Sequence, residues 1–223
     1  MSTILIRRGL LWSLLLLQGV PASAATLWQI GKADNDTREF ALAPSNYAGF
    51  GDRFGYHDQF YVVGRSADGE NWPYCLAGPA DGWGGGNNKI NTLPIHFHLK
   101  RLRRRSQCRL VIDFAGIHPE RPPLLRVSVN GHHHDFQLPP GAEGPIQGRL
   151  DEGKEHILSI DIPAGELRVG LNTIELVHLT GSWVVFDALR FEGSDDVRPG
   201  PAHETLIHSV RAAPFQVRRE GRA

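Results

Sequence analysis

Cysteine is nearly absent from this 223-residue chain, helical periodicity is almost missing, and 24 basic residues cancel 24 acidic ones. Each scarcity excludes something. Without excess cation, bulk charge does not recruit nucleic acid. HExxH and paired-cysteine motifs for zinc are lacking. So is a GxSxG nucleophile turn, because Gly64-Arg65-Ser66 has no closing glycine and no helix signal behind it. Gly84 to Gly86 has no βαβ surroundings, so it is no phosphate loop. No apolar run beyond residue 24 is long enough to cross a bilayer, and no internal repeat is visible.

What is present begins with a leader. Arg7 and Arg8 precede the apolar run Leu10 to Leu17, and Ala22-Ser23-Ala24 suits signal peptidase, so residues 1–24 read as a signal peptide. The expected product is secreted or periplasmic, about −2 in charge once both arginines leave, and free of the membrane after cleavage. An oxidising compartment would allow Cys75 and Cys108 to pair; two separately buried thiols are the alternative.

Short strand-like runs recur between turn signals: Phe60 to Val63, Ile90 to Leu99, Cys108 to Phe114, Leu124 to Val129, His156 to Ile162, Asn172 to Leu179 and Trp183 to Phe191. Leu125, Val127 and Val129 alternate with polar residues, as do Ile174 and Leu176, the pattern of strands with one buried face. Asn130-Gly131 after Arg126 to Val129 is a type I′ hairpin signal, since both central positions of that turn need positive φ. The chain is expected to be all-β, with turn spacing that suits a sandwich or jelly roll. Residues 25–193 form the expected domain, and 194–223 read as a linker-like or frayed tail in which Thr205 to Val210 could add a strand.

The stretch Asp58 to Gly86 concentrates aromatic residues and turn-forming glycines, the composition of many sugar-facing loops. Trp72, Tyr74 and Trp83 are candidate stacking platforms, although tryptophan in a sandwich more often anchors a core or a loop. Arg65, Asp81, Asn87 and Asn88 could hydrogen-bond hydroxyls, with Arg65 able to grip a uronate carboxylate through two N–H groups. Lys100 to Arg105 holds five cations between two strand-like runs, which could attract an acidic polysaccharide or form a solvated loop.

Motifs in order along the chain, LWQIG, VVGRS, NWPY, GPADGWGGG, IHFHL, LVIDFAG, VSVNG, IPAGELRVGLN and WVVFDALRFE, resemble the carbohydrate-binding-like C-terminal domain of family 4 polysaccharide lyases, the rhamnogalacturonan lyases. The likeness spans about Leu27 to Glu192. It implies a jelly-roll β-sandwich of the galactose-binding type and a polysaccharide or oligosaccharide partner. It implies no catalytic residue, because the family's Lys and His chemistry sits in a separate, larger domain. The expected role is therefore non-catalytic binding of acidic, rhamnogalacturonan-like glycan. The alternatives are an accessory subunit or fragment of a lyase or glycoside hydrolase, and a structural β-module that touches no glycan.

Remaining clusters are weaker. His96 and His98 share a strand face and His132 to His134 follow the hairpin, but neither group has a placed third ligand, so no metal is expected there. Asp187 and Glu192 raise a structural calcium, for which two carboxylates are too few against the six to eight oxygens it needs. Asp151, Glu152 and Glu155 crowd one turn and lack the partner across a cleft that a glycosidase requires.

Overall fold

Asn130 (φ 49°) and Gly131 (φ 89°) both adopt left-handed backbone, closing the hairpin that the dipeptide predicts. In the computed structural model, which describes residues 24–55 and 59–201, that hairpin joins two of eleven strands. They are β1 (Ala25–Gly31), β2 (Tyr61–Val62), β3 (Cys75–Leu76), β4 (Thr92–Arg101), β5 (Gln107–Ile117), β6 (Leu124–Val129), β7 (His132–Gln137), β8 (His156–Pro163), β9 (Gly170–Thr180), β10 (Val184–Gly193) and β11 (Arg198–Pro199). Every strand-like run read from the sequence lies on one of them. The leader over residues 1–23 and the Thr205 to Val210 run lie outside the described residues.

A five-stranded sheet runs β1-β10-β5-β8 with β3 beside β10, and a six-stranded sheet runs β11-β4-β9-β6-β7 with β2 beside β4. From β4 to β10 the chain changes sheet at every connection except the β6–β7 hairpin, which is how a jelly roll is wound. Alternation decides what fills the space between the sheets. Leu93, Ile95, Phe97 and Leu99 point inward from β4, and Ile174, Leu176 and His178 from β9. Trp28 and Phe191 reach across from the other sheet to Phe97, with ring centroids 5.0–5.6 Å apart.

β10 departs from alternation. All residues from Val184 to Leu189 are buried, because loops cover the outer face of this central strand as well. The Asp36 N–H donates to Asp187, the Phe186 N–H donates to the Tyr74 carbonyl, and Trp72 packs 5.4 Å from Phe186. The ordered chain also runs past Gly193: Val197 is fully buried and β11 pairs with β4, so part of the segment read as a tail completes the six-stranded sheet.

Of the two readings of the cysteines, two separately buried thiols is the one observed. Cys75 and Cys108 are free and buried, Cys75 opposite Val185 and Cys108 opposite Gly193, near opposite ends of β10. At about 3.3 Å per residue this places them roughly 25 Å apart, against a limit of about 7 Å between bridged Cα atoms.

Candidate functional site

Glycine spacing builds the surface that exposes Trp83. The helical turn Gly51–Gly55 lies against the turn Gly82–Gly84 so closely that a Cβ on Gly51 would stand 2.7 Å from the Trp83 carbonyl oxygen. A Cβ on Gly55 would stand 2.7 Å from that of Gly84. The Trp83 indole is half-buried. Tyr47 meets it at 5.3 Å and 64°, Phe50 at 5.9 Å and 85°, so neither ring lies flat on the indole. Asn87 and Asn88 are exposed on the same loop, Lys89 is half-exposed beside Gly85, and Arg53 is exposed on the facing turn with its guanidinium 5.6 Å over Phe54. Arg53 also donates to the Glu70 carbonyl at 2.8 Å. A part-exposed aromatic ring on a loop that carries exposed amides is suited to a sugar ring bearing hydroxyl groups.

The other candidates are not brought here. Trp72 is 1% exposed and Tyr74 is 0% exposed, so neither can offer a stacking face. Trp72 wedges between Tyr61 and Phe186. The Tyr74 hydroxyl donates 2.7 Å to the Ile146 carbonyl, and burial pushes its pKa far up, so it stays a neutral donor. Asp81 is buried too: one carboxylate oxygen accepts from the Gly78 N–H at 2.8 Å and the other from the Ser182 hydroxyl at 2.5 Å. It pins two loops together and has no side to show a ligand. Arg65 is exposed, but on the turn after β2, which runs parallel to β4 and away from Trp83, with Val62 aligned to His96. Of the seven residues singled out, Trp83, Asn87 and Asn88 share this loop. Tyr47, Arg53 and Lys89 were missed, although the glycine and aromatic alternation of YAGFGDRFG repeats the signature that marks the Trp83 loop.

Of the other charged groups, the His134 ring is 2.7 Å from Glu166, and Glu192 pairs with Arg190 at 2.6 Å. Asp187 and Glu192 lie five residues apart on β10 and do not converge. Among the described residues no three His, Cys, Asp or Glu side chains gather as metal ligands.

One carboxylate pair is strongly perturbed. Asp113 and Asp187 are both buried, and burial raises each to about 6, their mutual repulsion adding to the shift at Asp187. Asp187 accepts from the Asp36 N–H, while Asp113 Oδ1 has no partner. Below about pH 4 the folded and unfolded chains both keep these protons, so nothing is lost. Between 4 and 6 the unfolded chain releases them first and stability falls; above 6 the loss is complete. Asp113→Asn should therefore raise stability at pH 7.5 by about 2 kcal/mol and change little at pH 4, read from urea melts at both values.

Residues 26–191 match the model of the family described as CBM-like, polysaccharide lyase family 4, domain III. A rhamnogalacturonate lyase of Dickeya dadantii (strain 3937) is 25% identical over 178 residues, which is 74% of this chain and 27% of that protein. The chain thus spans about a quarter of the length of the curated relative it matches. Solved structures with partial likeness include a family 35 carbohydrate binding module from an environmental isolate (18% identical, TM-score 0.36, covering 49% of this chain and 70% of that one). Another is the CBM35 from Cellvibrio japonicus Abf62 (19% identical, TM-score 0.33, covering 50% and 71%). With most of its length inside the family match, this jelly-roll sandwich belongs to the CBM-like domain III family of polysaccharide lyase family 4.

Proposed function

We propose that the chain is a non-catalytic carbohydrate-binding module for acidic, rhamnogalacturonan-like polysaccharide, and that it binds through the Trp83 surface. The observation that carries the reading is the half-buried indole on which, among the described residues, no ring lies flat, on the loop that also carries exposed Asn87 and Asn88. Family membership supports a glycan as the ligand class. The leader at residues 1–24 supports export, which places the module where such polymers occur.

Affinity electrophoresis against rhamnogalacturonan, homogalacturonan and neutral galactan tests the reading. The protein should be retarded by at least one of them. Trp83→Ala should weaken binding about fivefold or more, the loss of roughly 1 kcal/mol of ring stacking, while the thermal transition stays cooperative. Absence of retention on every glycan sinks the reading. A second role, accessory to a catalytic unit, is supported by the 27% coverage of the Dickeya lyase. On that view the chain alone releases no unsaturated uronate, and measurable release would assign it chemistry of its own.

A further inference from the structure

The end of the sandwich opposite Trp83 carries a second surface. β4 leaves the Trp83 loop at Thr92 and ends at Arg101, about 30 Å away at strand rise. There the chain turns tightly: the Ser106 N–H donates to the Arg103 carbonyl at 3.0 Å, and the Arg103 N–H donates to the Ser106 hydroxyl at 3.0 Å. Arg104 and Arg105 occupy the tip, exposed and without an ion pair among the described residues. Arg101 and Arg198 stand directly opposite each other across β4 and β11, a like-charge pairing that disfavours the sheet unless something neutralises it.

The protein does little to neutralise it. Arg101 donates to the carbonyls of Asp195 and Asp196, at 2.9 and 3.0 Å, and not to their carboxylates. The Asp196 carboxylate is engaged by the Ser194 hydroxyl at 2.7 Å. Lys100, Arg101, Arg103, Arg104, Arg105 and Arg198 thus face two aspartates at this end, in a molecule that is neutral overall. A cavity of about 460 Å³ opens beside the turn, lined by Ser106, Gln107 and Arg109 together with the acids Asp161 and Glu192, and Asp161 holds the Arg109 guanidinium at 2.8 Å, so the free cations are those of the turn itself.

We propose that this arginine end is a docking site for the carboxylates of a polyuronate chain, distinct from the Trp83 surface. Guanidinium groups take carboxylate in a two-point fork, and the exposed turn lets successive uronates meet successive arginines. A glycan is favoured over a nucleic acid because residues 100–109 and 194–201 hold no aromatic ring on which a base could stack. The proposal shares with the reading above only the class of ligand, so the two fail separately.

The test uses the full chain and the triple substitution Arg103→Ala, Arg104→Ala and Arg105→Ala, with polygalacturonate, dextran sulfate and neutral galactan as probes. The unmodified protein should be retarded by polygalacturonate at 50 mM NaCl and much less at 500 mM, as screening at short range requires. The triple variant should bind polygalacturonate about tenfold or more weakly and lose the salt dependence of its retention, with an unchanged thermal transition, while Trp83→Ala, though weaker in binding, keeps that salt dependence. Should the triple variant fail to fold, Arg104→Lys with Arg105→Lys keeps the charge but not the fork and should weaken polygalacturonate binding at constant salt. Unaltered polygalacturonate binding in the arginine variants overturns the proposal, whatever Trp83→Ala does. So does equal or stronger retention by dextran sulfate, which would make the patch a general polyanion sink.

Discussion

Trp72→Ala should remove about 3–5 kcal/mol of stability, the cost of emptying an indole-sized volume in a core that cannot collapse around it. Against a total of roughly 5–15 kcal/mol for an ordinary domain, that leaves a protein on the edge of unfolding at 37 °C. Trp72 is 1% exposed, meets Tyr61 at 6.0 Å and 87°, and meets Phe186 at 5.4 Å and 55°, while Phe186 itself stacks on Phe114. Its removal therefore unseats the loop that covers β10 as well as the strand. Trp72→Phe keeps most of the apolar volume and discards an indole N–H that has no partner, so its cost should be far smaller. Urea melts with unchanged slope and a shifted midpoint would record both effects. The folded fraction of Trp72→Ala should still bind glycan. A stable Trp72→Ala protein that had lost binding would return this residue to the ligand surface and refute its assignment to the core.

His178→Leu should have the second large effect, and one that grows in acid. His178 points between the sheets, fully buried, with neither ring nitrogen hydrogen-bonded, and burial lowers its pKa to about 3. Above pH 6.5 the ring is neutral folded or unfolded. Below 6.5 the unfolded chain takes up a proton that the folded one refuses until about pH 3, so stability falls by about 1.4 kcal/mol per pH unit, to a loss of roughly 4–5 kcal/mol. Leucine removes that slope, and at pH 7.5 it also removes two orphaned polar atoms, a gain of about 1–3 kcal/mol. The difference in unfolding free energy between His178→Leu and the parent should therefore widen steadily from pH 7 to pH 4. A constant difference across that range would show that His178 takes its proton in the fold.

How the two aspartates and the histidine oppose each other in pH follows from burial alone, and part of that burial is legible in the chain. Alternation of Asn172, Ile174 and Leu176 carries straight on to His178, which puts that ring inside by period two. Asn130-Gly131 specifies its hairpin just as locally. The Trp72 environment is not local. Its partner Phe186 arrives from β10, and Asp81 is claimed by Ser182, 101 residues later. A window containing NWPYC or GPADGW reads the same whether those rings meet a sugar or a second sheet. The cysteines show the same limit: both lie beside β10, but only register reveals that they flank its two ends. The Trp83 loop differs in that the glycines around it let two turns approach closely and leave the indole half-exposed, and those glycines are visible in the sequence.

β10 pairs with β1, β3 and β5, and among the described residues β1 pairs with β10 alone. β1 therefore waits for a strand far along the chain. Until residues 184–193 exist, the five-stranded sheet has no centre, Trp28 has no Phe191, and Trp72 has no Phe186. Closure over such a span of chain is slow compared with local helix formation, so the five-stranded sheet is completed late in folding.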